Sequence, residues 1–177
     1  MTDKLLLSRA GAVATITFNR PALRNAVDAE TMAALREAIV GCGQDDTTRV
    51  IVLAGAGGAF CSGADLGVIT QAGATPDSAW RILSEFYHPA LRAIHDSRWP
   101  VIAAVDGVAA GLGCDIALAC DIRLASARAQ FAELFIRVGL IPDGGGTWSL
   151  PRIVGLGRAL ELIYSGGGTI GEQGRSA

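Results

Sequence analysis

An α/β domain built mainly on parallel strands is predicted by three features of this sequence. Short apolar runs alternate with segments of helical periodicity, the pattern that layers helices on a parallel sheet. Glycine-rich stretches follow two of those runs, GAGGAFCSGADL at 55–66 and DGVAAGLGCDIAL at 106–118. Apolar residues make up 50% of the 177 and charged residues 18%, which supplies one core and argues against disorder.

The elements follow in order. AVATITF at 12–18 puts Ala14, Ile16 and Phe18 on one face of a strand, and NRPALRN ends it with a proline. Asp28 is placed to cap a helix over 29–40, with Met32, Leu35 and Ile39 as its apolar stripe. VIVLAG at 50–55 is the almost uniformly apolar run of a strand buried on both faces. Residues 77–97 give the clearest helix, with Trp80, Leu83, Tyr87, Leu91 and Ile94 on one side, and Pro100 closes it. VIAAV at 101–105 and DIRLA at 121–125 are further strands, with a helix over 112–119 between them. Helices over 145–154 and 156–164 complete the core, with Trp148 placed inside it. The core is expected to span 1–164, and SGGGTIGEQGRSA reads as a loose tail over 165–177 because it lacks hydrophobic periodicity.

Composition excludes several function classes. Net charge is −2 and the 15 basic residues are scattered Arg plus the single Lys4, so no basic stripe is available for a nucleic acid. The N-terminal run LLL is too short for a signal peptide, and the apolar stretch 107–120 is interrupted by Asp115, so no membrane partner is expected. Cys42, Cys61, Cys114 and Cys120 form no CxxC pair and have no His at ligand spacing; they read as buried free thiols of a cytoplasmic protein, with no metal. The high apolar content points to a subunit of an oligomer.

The two glycine-rich loops leave strands and lead toward helices, where backbone N–H groups point outward and favour negative charge. Side by side, they can aim two N–H groups at one oxygen, as an enolate or tetrahedral oxyanion requires. From glycine content alone they read as two tight turns. A phosphate loop is excluded, since GxxxxGK[ST] needs a lysine and only Lys4 exists.

AFCSGADL at 59–66, AAGLGCDIALACDIRLAS at 109–126 and GLIPDGGGTWSLPRIVG at 139–155 together resemble the crotonase superfamily of enoyl-CoA hydratases and isomerases, from about residue 5 to about residue 164. The resemblance implies a spiral of ββα turns (the ClpP/crotonase fold), homotrimers or hexamers, and acyl-CoA substrates, with coenzyme A part of the substrate and no other cofactor. It implies that the backbone N–H groups of Ala64 and Leu112 form the oxyanion hole. Asp65, Leu66 and Gly67 would lie along the CoA together with Ala64 and Leu112. Arg24, in RPALRNAV, matches a position whose basic side chain approaches the CoA phosphates; read by itself, it is an exposed surface charge.

Hydratases of this family use two glutamates, and here those positions hold Asp115 and Phe135. A phenyl ring cannot transfer a proton. Glu133, two residues earlier, is an alternative acid–base group or a surface or salt-bridging side chain. Asp143 matches an aspartate that, in family isomerases and dehalogenases, faces the acyl carbons; read locally it caps the helix that follows. A double-bond shift needs one group that takes a proton from one carbon and returns it to another, so Asp143 alone suffices. The expected activity is therefore enoyl-CoA isomerisation with Asp143 as base. The alternative is 2-enoyl-CoA hydration in fatty-acid β-oxidation by Asp115 and Glu133. The family pattern continues beyond Ala177 into further helices, so a C-terminally truncated, inactive acyl-CoA-binding or subunit-like remnant is the third expectation.

Overall fold

The computed structural model describes residues 3–65, 67 and 75–170. Five strands form the main sheet in the order β1-β2-β3-β4-β6: β1 (Leu5–Ala10), β2 (Val13–Phe18), β3 (Val50–Gly55), β4 (Val101–Val105) and β6 (Ile122–Ala125). A second, three-stranded sheet joins β5 (Val108–Ala110), β7 (Gln130–Ala132) and β8 (Gly168–Ile170). The expected parallel pairing holds from β2 through β6 and between β5 and β7, while β1–β2 and β7–β8 are antiparallel. The three strands of the second sheet carry too few residues to show a period of two, and β1, LLLSRA, has six residues but no alternation of apolar and polar side chains. Gly168–Ile170 lies in the stretch read as a tail, yet it pairs with β7.

One face of the main sheet makes the core. Ala14, Ile16 and Phe18 of β2, Ile51 and Leu53 of β3, and Val101, Ala103 and Val105 of β4 are all buried, and the alternate residues of these strands are only half-buried. β3 and β4 are thus less enclosed than their uniformly apolar sequences suggest. Helix α1 (Ala29–Gln44) covers this face with Met32, Leu35 and Ile39. It starts where Asp28 accepts from the Thr31 N–H, the expected cap.

The helix expected over 77–97 is divided. It runs as α2 (Pro76–Ile82), a π-helical turn (Leu83–Tyr87) and α3 (His88–His95). Pro89 supplies no N–H, and just before it the ladder widens so that His88 N–H reaches Leu83 O. Tyr87, Leu91 and Ile94 reach the core as their spacing predicts, but Trp80 is 64% exposed. Helices α4 (Leu112–Ala119), α5 (Gly146–Val154) and α6 (Leu156–Ser165) enclose a smaller cluster around Cys114, Leu118, Leu150, Ala159 and Leu162. Trp148 is not part of it: at 64% exposure it lies over Arg152 on the surface. Among the described residues no helix is long and apolar enough to cross a membrane.

Candidate active site

The loop after β3 is held on three sides. Asn25 adopts a left-handed conformation and donates its side-chain amide to the carbonyls of Ala56 at 2.9 Å and Ala59 at 2.7 Å. Farther on, the loop runs beside β5, where Ala110 N–H donates to Cys61 O at 2.9 Å. It then runs beside Val27, which donates to Gly63 O at 2.9 Å and accepts from Asp65 N–H at 2.8 Å. Alternate residues of an extended chain face opposite neighbours, so Ala64 turns its N–H away from Val27, toward the second loop. Gly63 makes that approach possible. A Cβ there would come within 2.8 Å of Ala110 O, and its φ of 104° disfavours a side chain in any case.

In the second loop Gly111 turns the chain into α4, and its N–H is used by Ala132 O at 2.8 Å. Leu112 is the first residue of α4, where an N–H has no partner inside the helix. Among the described residues, neither the Ala64 nor the Leu112 N–H has a protein acceptor. Both residues line one cavity of about 330 Å³, whose remaining wall is largely apolar and includes Leu83, Tyr87 and Phe135. Backbone N–H groups left unpaired in residues of an apolar wall are suited to an oxygen that gains negative charge.

Asp143 lines that same cavity. The local reading of it as a helix cap is corrected, because α5 begins at Gly146 after a left-handed Gly145 and no side chain caps it. The carbonyl of Asp143 instead accepts from His88 Nε2 at 2.9 Å, which ties its turn to α3. Nothing in the sequence assigned His88 a role. Burial pushes the Asp143 carboxyl above the ordinary aspartate value, against the opposing pull of its own backbone N–H and of His88. A larger hollow of about 830 Å³ also borders Asp143, beside Arg92, Arg123 and Arg152, but neither Ala64 nor Leu112 reaches it. The smaller cavity is therefore the one that Asp143 shares with Ala64 and Leu112.

Asp115 and Glu133 are each 1% exposed, and neither lines the cavity. Glu133 is thus not the surface or salt-bridging side chain that its sequence context allowed. Asp115 Oδ2 accepts from Gly144 N–H at 2.9 Å, whereas Asp115 Oδ1 and both oxygens of Glu133 have no hydrogen-bond partner. The consecutive glycines serve this contact. A Cβ on Gly144 would come within 2.5 Å of Asp115 Oδ2, and one on Gly146 within 2.3 Å of Asp115 Oδ1 and 3.0 Å of Glu133 Oε1.

The remaining described candidates lie beside residues of the cavity wall, Ser62 and Ala64. Arg24 is exposed, and its carbonyl accepts from the N–H of Ser62, which lines the cavity. The Asp65 carboxylate is already engaged: Oδ2 pairs with Arg20 at 2.8 Å and Oδ1 accepts from Gly67 N–H at 3.1 Å. Arg20, which the sequence did not single out, also lies 3.7 Å from Asp28, so it links the loop to the start of α1. Leu66 lies outside the described residues. All four cysteines are buried and free.

This arrangement matches known proteins along almost its whole length. The enoyl-CoA hydratase/isomerase family model matches residues 8–174. The chain is 42% identical over 175 residues to the 1,2-epoxyphenylacetyl-CoA isomerase of Escherichia coli, covering 98% of this chain and 66% of that protein. It is 35% identical to the short-chain-enoyl-CoA hydratase of Clostridium acetobutylicum, covering 92% of this chain and 62% of that protein. Among solved structures, the enoyl-CoA hydratase from Bacillus anthracis superposes with a TM-score of 0.92 at 31% identity, covering 98% of this chain and 67% of that one. The chain thus spans less than two thirds of the length of these two curated relatives. Matched from residue 8 to residue 174 and folded as its solved relatives are, the chain belongs to the enoyl-CoA hydratase/isomerase family and has the crotonase fold.

Proposed function

We propose that this protein isomerises the double bond of an enoyl-CoA thioester, with Asp143 as the base and the N–H groups of Ala64 and Leu112 holding the thioester oxygen. The observation that carries the reading is the convergence of these three residues on one apolar cavity, while Asp115 and Glu133 do not line it. Asp143 takes a proton from the carbon next to the thioester. Negative charge moves to the carbonyl oxygen, where the two N–H groups receive it, and the same carboxyl returns the proton two carbons farther along. The apolar wall lowers the local dielectric and so strengthens both interactions. Phe135, 9% exposed, fills the place where the hydratase pattern has a second glutamate, which favours isomerisation over hydration.

The CoA portion would leave past Ser62 toward Arg24, Asp65 and Gly67, with the contact at Asp65 made by backbone, since its carboxylate is engaged by Arg20. A homotrimer or hexamer fits the exposed apolar side chains Ile141, Leu156 and Tyr164, and buried free thiols fit a cytoplasmic setting. The test is turnover of 3-enoyl-CoA and 2-enoyl-CoA substrates followed by absorbance. Asp143→Asn should abolish isomerisation while acyl-CoA still binds, and undiminished turnover in that variant would refute the proposal. Because burial raises the Asp143 carboxyl, the acid limb of kcat/KM should lie above about 3.9, the value of a free aspartate.

A further inference from the structure

Behind the cavity wall, two carboxylates lie buried together, both within reach of the same glycine, Gly146. Asp115 Oδ2 takes the Gly144 N–H at 2.9 Å, while the other three oxygens make no hydrogen bond of good geometry and have only the Cys114 thiol and the Gly146 N–H beside them. The groups that face them come from four elements. α4 contributes Cys114, whose thiol borders Glu133; the start of α5 contributes the N–H of Gly146; the turn before it contributes the N–H of Gly144 and the carboxyl of Asp143; and the strand-end after β7 carries Glu133 itself. No cation among the described residues pairs with either carboxylate. Two ionised carboxylates cannot be held unpaired in such a place, so at least one keeps its proton.

We propose that Asp115 and Glu133 carry a single proton between them and act as positioning residues for Asp143. The singly charged pair holds Gly144 N–H, and with it the turn from Pro142 to Gly146 that presents Asp143 to the acyl site. This inference rests on the reading of Asp143 as the base. It assigns the two carboxylates a different task from the acid–base pair of a hydratase, and it accounts for the glycines, whose missing side chains leave room for both. Burial pushes Asp115 well above the ordinary aspartate value, with Glu133 adding to it, and raises Glu133 to about 7. Their protonated form therefore stabilises the fold at low pH, and that contribution is lost as pH rises through about 7.

The experiment compares Asp115→Asn, Glu133→Gln, Asp115→Leu and Asp143→Asn in the full chain, by kcat and KM with 3-enoyl-CoA and by thermal melting from pH 4.5 to pH 8.5. The amide variants mimic the protonated pair, so each should keep kcat within about threefold of the parent, whereas Asp115→Leu, which frees the turn, should lower kcat about a hundredfold with KM little changed. Glu133→Gln should also flatten the fall in melting temperature toward alkaline pH. If Asp115→Asn and Glu133→Gln are as inactive as Asp143→Asn, or if the alkaline fall persists undiminished in Glu133→Gln, the inference is overturned. An active Asp143→Asn defeats the reading of the base instead, and the melting curves, which need no turnover, still decide whether the pair holds a proton.

Discussion

Replacing Gly146 by alanine sets two effects of opposite sign against each other. In a helix, alanine is favoured over glycine by up to about 1 kcal/mol. At Gly146, however, the new methyl would meet Asp115 Oδ1 at 2.3 Å, Glu133 Oε1 at 3.0 Å and Pro142 Cβ at 3.2 Å. An aspartate side chain is short and its Cβ is fixed on α4, so Oδ1 can retreat only by turning the carboxyl. That rotation pulls Oδ2 away from Gly144 N–H, which it accepts at 2.9 Å. Overpacking of this kind costs about 1–3 kcal/mol, and the loss of a hydrogen bond to a carboxylate about 1.5–3 kcal/mol more if it breaks. The steric cost wins, with a net destabilisation of about 2 kcal/mol. For a chain of this length that lowers the melting temperature by about 4–8 °C. The assay is urea unfolding at neutral pH, repeated in an Asp115→Ala background where the methyl has room. The cycle should return a coupling of about 1–3 kcal/mol. A Gly146→Ala protein as stable as the parent, or one equally destabilised in both backgrounds, would refute the argument that the carboxylate dictates this glycine.

Two further outcomes follow from the burial pattern. Asp28 is drawn upward by burial but held down to about 2 by Lys4 and by the hydroxyl and N–H of Thr31, so it contributes stability above about pH 4 that is lost as pH falls toward 2; Asp28→Asn should flatten the acid limb of a melting-temperature profile. The four cysteines are sealed, with Cys61 and Cys120 pushed by burial to about 12, so a thiol reagent at pH 8 should label none in the native protein and four after denaturation.

Much of the layout could be read from the chain because it rests on local regularities. The strands β3 and β4, the Asp28 cap and the apolar stripe of α1 appear where apolar runs, helical periodicity and capping chemistry put them, although β3 and β4 are buried on one face only. The short strands of the second sheet could not be read this way, because three residues hold no period and pairing with distant chain decides them. Trp148 shows a related limit: helical spacing says which residues share a face but not whether anything covers that face. At the site, the glycines and Asp143 stood out in sequence, yet the partner of each lies far along the chain. His88 is 55 residues from Asp143 and Asp115 is 29 from Gly144, and neither contact leaves a local signal. Glu133 misled most, since a lone glutamate beside a short strand ordinarily faces water, and only the fold shows it closed in with Asp115.

The oxyanion donors are backbone groups, which side-chain substitution does not remove, but the position of Leu112 offers a way round this. As the first residue of α4 it occupies the helical place where proline fits best, because its N–H has no partner inside the helix and the fixed φ suits the first turn. Gly111 before it has φ 51° and ψ −126°, a conformation open to glycine, so a following proline meets no Cβ there. Leu112→Pro therefore deletes one N–H from the cavity wall with little strain. It also removes a side chain only 2% exposed, and Leu112→Ala controls for that loss while keeping the N–H. The two variants should unfold within about 1 kcal/mol of each other, since proline at this position forfeits no helical hydrogen bond. If the N–H receives the enolate oxygen, the proline variant should nevertheless turn over about 100-fold more slowly than the alanine variant, the cost of removing one such donor. Equal turnover in the two would show that the oxygen is held elsewhere.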